Sequence, residues 1–149
     1  MTRRRLRLPL LPTRLRLGAA VLVAGIILYY SVFAPPGAGT IERGPFGLVP
    51  YSTWLHGLAY TGLGGSIGYA LVGSASTVRR RVGMWIGTVG YGVAIELVQS
   101  QLPARTFAVA DMGVNALGAS LALVVWIALD RYVRFVAIRS ATAVGDRAD

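Results

Sequence analysis

Four stretches of this chain are long, apolar and nearly free of charge, and that pattern constrains the fold more than anything else in it. A bilayer's hydrocarbon core is about 30 Å thick, so a spanning helix needs roughly 20 mostly apolar residues. Residues 17–33 are uncharged, and residues 54–72 hold one imidazole, His56, and no charge. Residues 82–102 are uncharged as far as Ile95, after which Glu96, Gln99 and Gln101 follow and Pro103 stops the helix. Residues 112–129 are uncharged and bracketed by Asp111 and Asp130. Four such spans take up about half the chain and leave too little for a soluble domain. A mean hydropathy of +0.58 with 14% charged residues agrees with that reading. The expected fold is all-α, a four-transmembrane-helix bundle.

The connections fit helical hairpins. Residues 34–53 carry Pro35, Pro36, Pro45 and Pro50 with Gly37, Gly39, Gly44 and Gly47, which cannot continue a helix. Residues 73–81 form a short polar turn ending in Arg79, Arg80 and Arg81, and residues 103–110 make the third loop. The opening also resembles a secretory signal, with Val32-Phe33-Ala34 as a small-residue cleavage site. Pro35 directly after that site, and an apolar run longer than a usual signal core, favour a retained first span.

All 15 basic residues are arginine, against 6 acidic ones, for a net charge of +9. Six arginines precede the first span, three lie in the second loop and four follow the last span, whereas Arg43 and Arg105 stand alone in the other two loops. Cytoplasmic loops of membrane proteins collect the basic residues, so both termini are expected in the cytoplasm of a multi-pass cell-membrane protein. The basic tally then reads as a topology signal and a contact with anionic lipid headgroups, with no nucleic-acid partner. The chain divides into a basic segment (1–16), a membrane domain (17–129) and a basic tail (130–149).

Cysteine is absent and His56 is the one histidine, so no metal site or cofactor is expected. The strongly polar groups in or beside the spans are His56, Glu96, Gln99, Arg105, Asp111 and Asn115. On the topology above, all six gather at the outer end. His56 and Tyr60 are four apart, Glu96 and Gln99 three, Asp111 and Asn115 four, so each pair shares a helix face. Intramembrane polar groups are costly and should face one another, giving a polar pocket open to the outer surface. Arg105 is the natural bidentate partner of Glu96 or Asp111. Glycine pairs Gly64/Gly68 and Gly83/Gly87, and Ala116/Ser120, offer small-residue packing faces. Tyr29, Tyr30 and Tyr51 read as an interfacial aromatic belt, and Trp54 beside His56 as headgroup-level.

Taken together, His56-Gly57-Leu58-Ala59-Tyr60, then Glu96-Leu97-Val98-Gln99, Pro103-Ala104-Arg105 and Asp111-Met112-Gly113-Val114-Asn115-Ala116-Leu117-Gly118 resemble the VanZ-like membrane protein family. The resemblance runs over residues 50–129, with ExxQ, PxR and DxxxNxxG in order as its specific part. Members often carry an acidic and a basic residue four and three positions before the histidine, where this chain has Ser52 and Thr53. The resemblance implies a four-span inner-membrane protein, in a family whose named member is associated with resistance to the glycopeptide teicoplanin.

Three function classes follow. The first is binding of an envelope component or amphipathic compound, a lipid-linked or glycopeptide-like ligand, through His56, Tyr60, Glu96, Gln99, Arg105, Asp111 and Asn115. The second is an enzyme on a lipid-linked substrate with Glu96 or Asp111 as general base and Arg105 holding an anionic head. The third is a transporter or accessory subunit, and self-association is compatible with each. No nucleophile with an adjacent base is visible, which ranks binding above catalysis. The competing structural role for Glu96 and Arg105 is an ion pair clipping the third helix to its loop.

The orientation is directly testable in a cysteine-free chain. Single cysteines near Gly44 should react with a membrane-impermeant thiol reagent in intact cells, and cysteines near Arg80 should not; the reverse pattern would invert the topology.

Overall fold

A computed structural model describes residues 5–33, 43–102 and 109–137. Within them four helices form: α1 (Thr13–Val32), α2 (Tyr51–Ala70), α3 (Thr77–Gln99) and α4 (Val109–Tyr132). Each covers a predicted span, with starts three to five residues earlier than the charge-free runs suggested. Prolines explain two of these starts: Pro12 and Pro50 sit at the N-caps of α1 and α2, where a missing N–H costs nothing. Ser76 caps α3, its hydroxyl accepting from the Arg79 N–H. Three helices, α1, α3 and α4, are long and apolar enough to cross a membrane. At 20 residues α2 has the length too, but five glycines, three tyrosines and His56 dilute its hydropathy.

The outer surface of the helices differs from a soluble bundle's. Large apolar residues point outward, among them Val21, Leu22, Ile86, Leu117 and Val124, each more than half exposed. Many inner positions are small or polar, Gly64, Gly68, Thr88, Gly92, Asn115, Gly118 and Ala122 among them, and they are buried beside apolar residues such as Ile27, Leu63, Met84, Ile95 and Trp126. In lipid there is no hydrophobic drive between helices, so close packing and interhelical hydrogen bonds must hold them. The centre of that packing is α2, which contacts all three other helices and α4 most extensively.

Glycine makes the approach possible. A β-carbon at Gly118 would come within 2.7 Å of the Gly57 carbonyl oxygen, and one at Gly64 within 2.8 Å of the Ala122 methyl. At Gly68 it would overlap the Trp126 indole and the Met84 thioether. The Thr61 hydroxyl lies 2.7 Å from the Gly57 carbonyl on its own helix and 3.2 Å from the Gly118 carbonyl across the seam. The Gly83/Gly87 pair plays no such part: added β-carbons would meet only Leu71 and Ile67 at 3.7 and 3.8 Å, ordinary contact. On α4 the seam is Gly118 and Ala122, while Ser120 accepts from the Trp85 indole and donates to the Ala116 carbonyl.

One pairing was not foreseen. The segments flanking the bundle, β1 (Leu6–Leu10) and β2 (Val133–Ala137), form a parallel two-stranded ribbon in register from Leu6 with Val133 to Leu10 with Ala137. Read as basic tails, they also alternate: Leu6 and Leu8 with Arg7, and Val133 and Phe135 with Arg134. Phe135 packs its ring 5.7 Å from Tyr69 and 5.8 Å from Trp126. The ribbon brings the start of α1 and the end of α4 together.

The same end holds arginines bound inside the protein. Arg16, 5% exposed, donates to the carbonyls of Tyr69, Ala70 and Val72 at 2.7–3.2 Å and to the Thr13 hydroxyl. It thereby satisfies carbonyls that a helix end leaves unpaired, and sets a cation at the negative pole of α2. Arg79, Arg80 and Arg81 crowd the positive pole of α3, an unfavourable place for cations. Asp130 offsets them, bonding Arg80 and accepting from both Nε and Nη2 of Arg81. The Arg80 guanidinium also lies 5.0 Å from the Trp126 ring centre. At least three arginines therefore hold the bundle together, a role the topology reading did not assign them.

The α2 seam makes a sharp prediction. Gly68→Ala should lower the stability of the detergent-solubilised protein by about 1–3 kcal/mol through overpacking. Gly90→Ala, where a β-carbon meets nothing within 4 Å, should leave it equal or raise it. Thermal melts of the two variants reversed in order would remove α2 from the centre of the packing.

Candidate functional site: a polar-floored cavity at the end opposite the arginines

The helices alternate in direction, so the end of α1, the start of α2, the end of α3 and the start of α4 converge. There a cavity of about 490 Å³ opens, the size range of small-molecule sites. One face of α2 forms its floor: Ser52, Leu55, His56, Ala59 and Tyr60 lie at the three- and four-residue spacing that puts side chains in line. Across from it α1 supplies an apolar wall through Ile26 and Ile27, with Tyr30 and Ser31 above. Gln99 closes the α3 side and Asp111 the α4 side.

Asp111 sits in the first turn of α4, where a carboxylate complements the helix's positive pole. Its Oδ1 faces His56 Nδ1 at 3.8 Å, too long for a hydrogen bond. Gln99 reaches across to α1, its Nε2 donating to the Ser31 carbonyl at 2.8 Å in the last turn of that helix. Lower down, the Tyr91 hydroxyl donates to the Ala24 carbonyl at 2.6 Å. These two bonds tie α1 to α3, and the Gln99 bond is the one at the cavity.

Beneath the cavity α2, α3 and α4 meet at Tyr60, Gly92 and Asn115. A β-carbon at Gly92 would stand 3.0 Å from both the Asn115 amide nitrogen and the Tyr60 ring. Tyr60 is 1% exposed, and among the described residues its hydroxyl has no hydrogen-bond partner; the same holds for Asn115 Oδ1 and His56 Nδ1. Native proteins pair nearly all such groups, because each one left unmet costs about 1–3 kcal/mol. Arg16 Nε, Arg80 Nε and Trp54 Nε1 are likewise without partners among the described residues, so what distinguishes this end is the open space beside Tyr60 and His56.

Of the seven residues named from sequence, His56, Tyr60, Gln99 and Asp111 line this cavity. Glu96 and Asn115 are buried at 2% exposure on α3 and α4, outside its lining. Arg105 lies outside the described residues. The sequence assigned no site residue to α1, and it placed Tyr30 and Tyr51 in an aromatic belt; both line the cavity. It also passed over Ser52, although one helical turn separates it from His56.

Removing the Tyr60 hydroxyl tests the geometry. Tyr60→Phe should be as stable as the wild type or more so in ligand-free detergent, since no bond is lost and an unmet polar group is. A drop of more than about 1 kcal/mol, read by thermal unfolding, would mean that the hydroxyl has a protein partner.

No protein-family model, curated protein or solved structure matches this chain.

Proposed function

We propose that this chain is a VanZ-like protein of the cell membrane, with four spans and both termini in the cytoplasm, that binds an amphipathic compound or envelope component in the cavity at its outer face. The observation that carries the reading is the cavity's own division: an apolar wall on α1 faces polar groups on α2, α3 and α4. Such a site suits a ligand with one apolar and one polar end. The thirteen arginines flanking the spans on the opposite side support the orientation. The ExxQ, PxR and DxxxNxxG order supports the family. Within this reading α2 is the fourth span, its low hydropathy tolerated because α1, α3 and α4 surround it.

A second reading, an enzyme acting on a lipid-linked substrate, draws on Asp111 facing His56 with Ser52 in the same cavity. Here Asp111 or Glu96 serves as the general base.

The two separate in one set of strains. A deletion strain should change its susceptibility to a panel of envelope-active amphipathic compounds. Wild type should restore it; Ala59→Trp, which fills the cavity, and Glu96→Gln should not, at equal membrane abundance. Full complementation by Ala59→Trp would defeat the binding reading. Lipid-linked intermediates that accumulate in the deletion strain, and are cleared by wild type but not by Asp111→Asn, would establish the enzyme.

A further inference from the structure

Resting on the binding reading, we infer that the cavity selects amphiphiles with a single alkyl chain and a protonated amine at the head. The described lining contains one carboxylate, Asp111, and no arginine. The Asp111 side chain is 34% exposed and so remains available to a ligand, with His56 3.8 Å away. Three phenol rings, Tyr30, Tyr51 and Tyr60, stand around the same space. A carboxylate attracts an ammonium group by charge, and a phenol ring adds to the attraction where its face meets the cation. It repels a head whose only charge is a phosphate or sulfate.

The second, independent observation is the Tyr60 hydroxyl. It is buried at 1% exposure, lines the cavity and has no partner among the described residues. Its oxygen keeps a lone pair able to accept an N–H, as the Asp111 carboxylate does, once a ligand head displaces the side chains that cover it. Ile26, Ile27, Leu55 and Ala59 then take the chain. A volume of about 490 Å³ suits one chain and a compact head. The ligand is held like a peg, its charged end against α4 and its tail along α1.

The test uses the full chain in neutral maltoside micelles and three dodecyl probes differing only in the head: ammonium, hydroxyl and phosphate. Binding is read by native mass spectrometry. The ammonium probe should bind at least tenfold more tightly than the hydroxyl probe, and phosphate least. Asp111→Asn should bind ammonium and hydroxyl probes alike, and Tyr60→Phe should lose part of the preference. Equal binding of all three probes, abolished by Ala59→Trp, would overturn the head-group assignment while leaving the binding reading intact. Preference for phosphate would also overturn it. Failure of every probe to bind would sink both. Competition with lyso-phosphatidylethanolamine separates the two sources of such a head: displacement of the ammonium probe identifies a membrane lipid, and its absence a free amphiphilic amine.

Discussion

The architecture depends on how closely α2 approaches its neighbours. A bilayer offers apolar helices no reason to prefer one another over lipid, so association needs contacts that lipid cannot supply. Gly64, Gly68 and Gly118 let backbone meet methyl, indole and carbonyl at distances any side chain would forbid. That closeness lets Thr61 stand within hydrogen-bond reach of a carbonyl on α4, and brings Tyr60, Gly92 and Asn115 into one layer. The cavity lies directly above this layer. Its floor is held by the tightest part of the bundle, while its α1 wall is tied to α3 by the hydrogen bonds of Tyr91 and Gln99.

The two ends of the bundle solve opposite problems. At the arginine end, helix poles and charges answer one another: Arg16 covers the carbonyls of α2, Asp130 answers the cations at the start of α3, and the β1–β2 ribbon joins the outer segments. At the other end the helices part around an open space, whose lining mixes phenol, imidazole, amide and carboxylate.

Much of this was legible in the sequence. Lengths of uncharged apolar runs gave four helices in the right places, and the four-residue spacing of His56 and Tyr60 put both on one helix face, which forms the cavity floor. The parallel ribbon escaped notice because its arginines dominated the reading, although every second residue was apolar. Small-residue pairs could be seen but not ranked: Gly64/Gly68 sits at a seam and Gly83/Gly87 does not, a difference set by which face α2 presents. The contribution of α1 was hidden for a related reason. A helix apolar on all sides carries no periodic mark of the face that turns toward a pocket.

A cavity that is filled in the membrane is the condition on which the proposed binding rests. A cryo-electron-microscopy map of the protein extracted gently with its native lipids tests this directly. It should contain elongated non-protein density between α1 and α2, with its polar end within hydrogen-bond distance of the Tyr60 hydroxyl and close to Asp111. A collapsed cavity, with α1 packed onto α2 and the Tyr60 hydroxyl donating to Asn115 Oδ1, would contradict it.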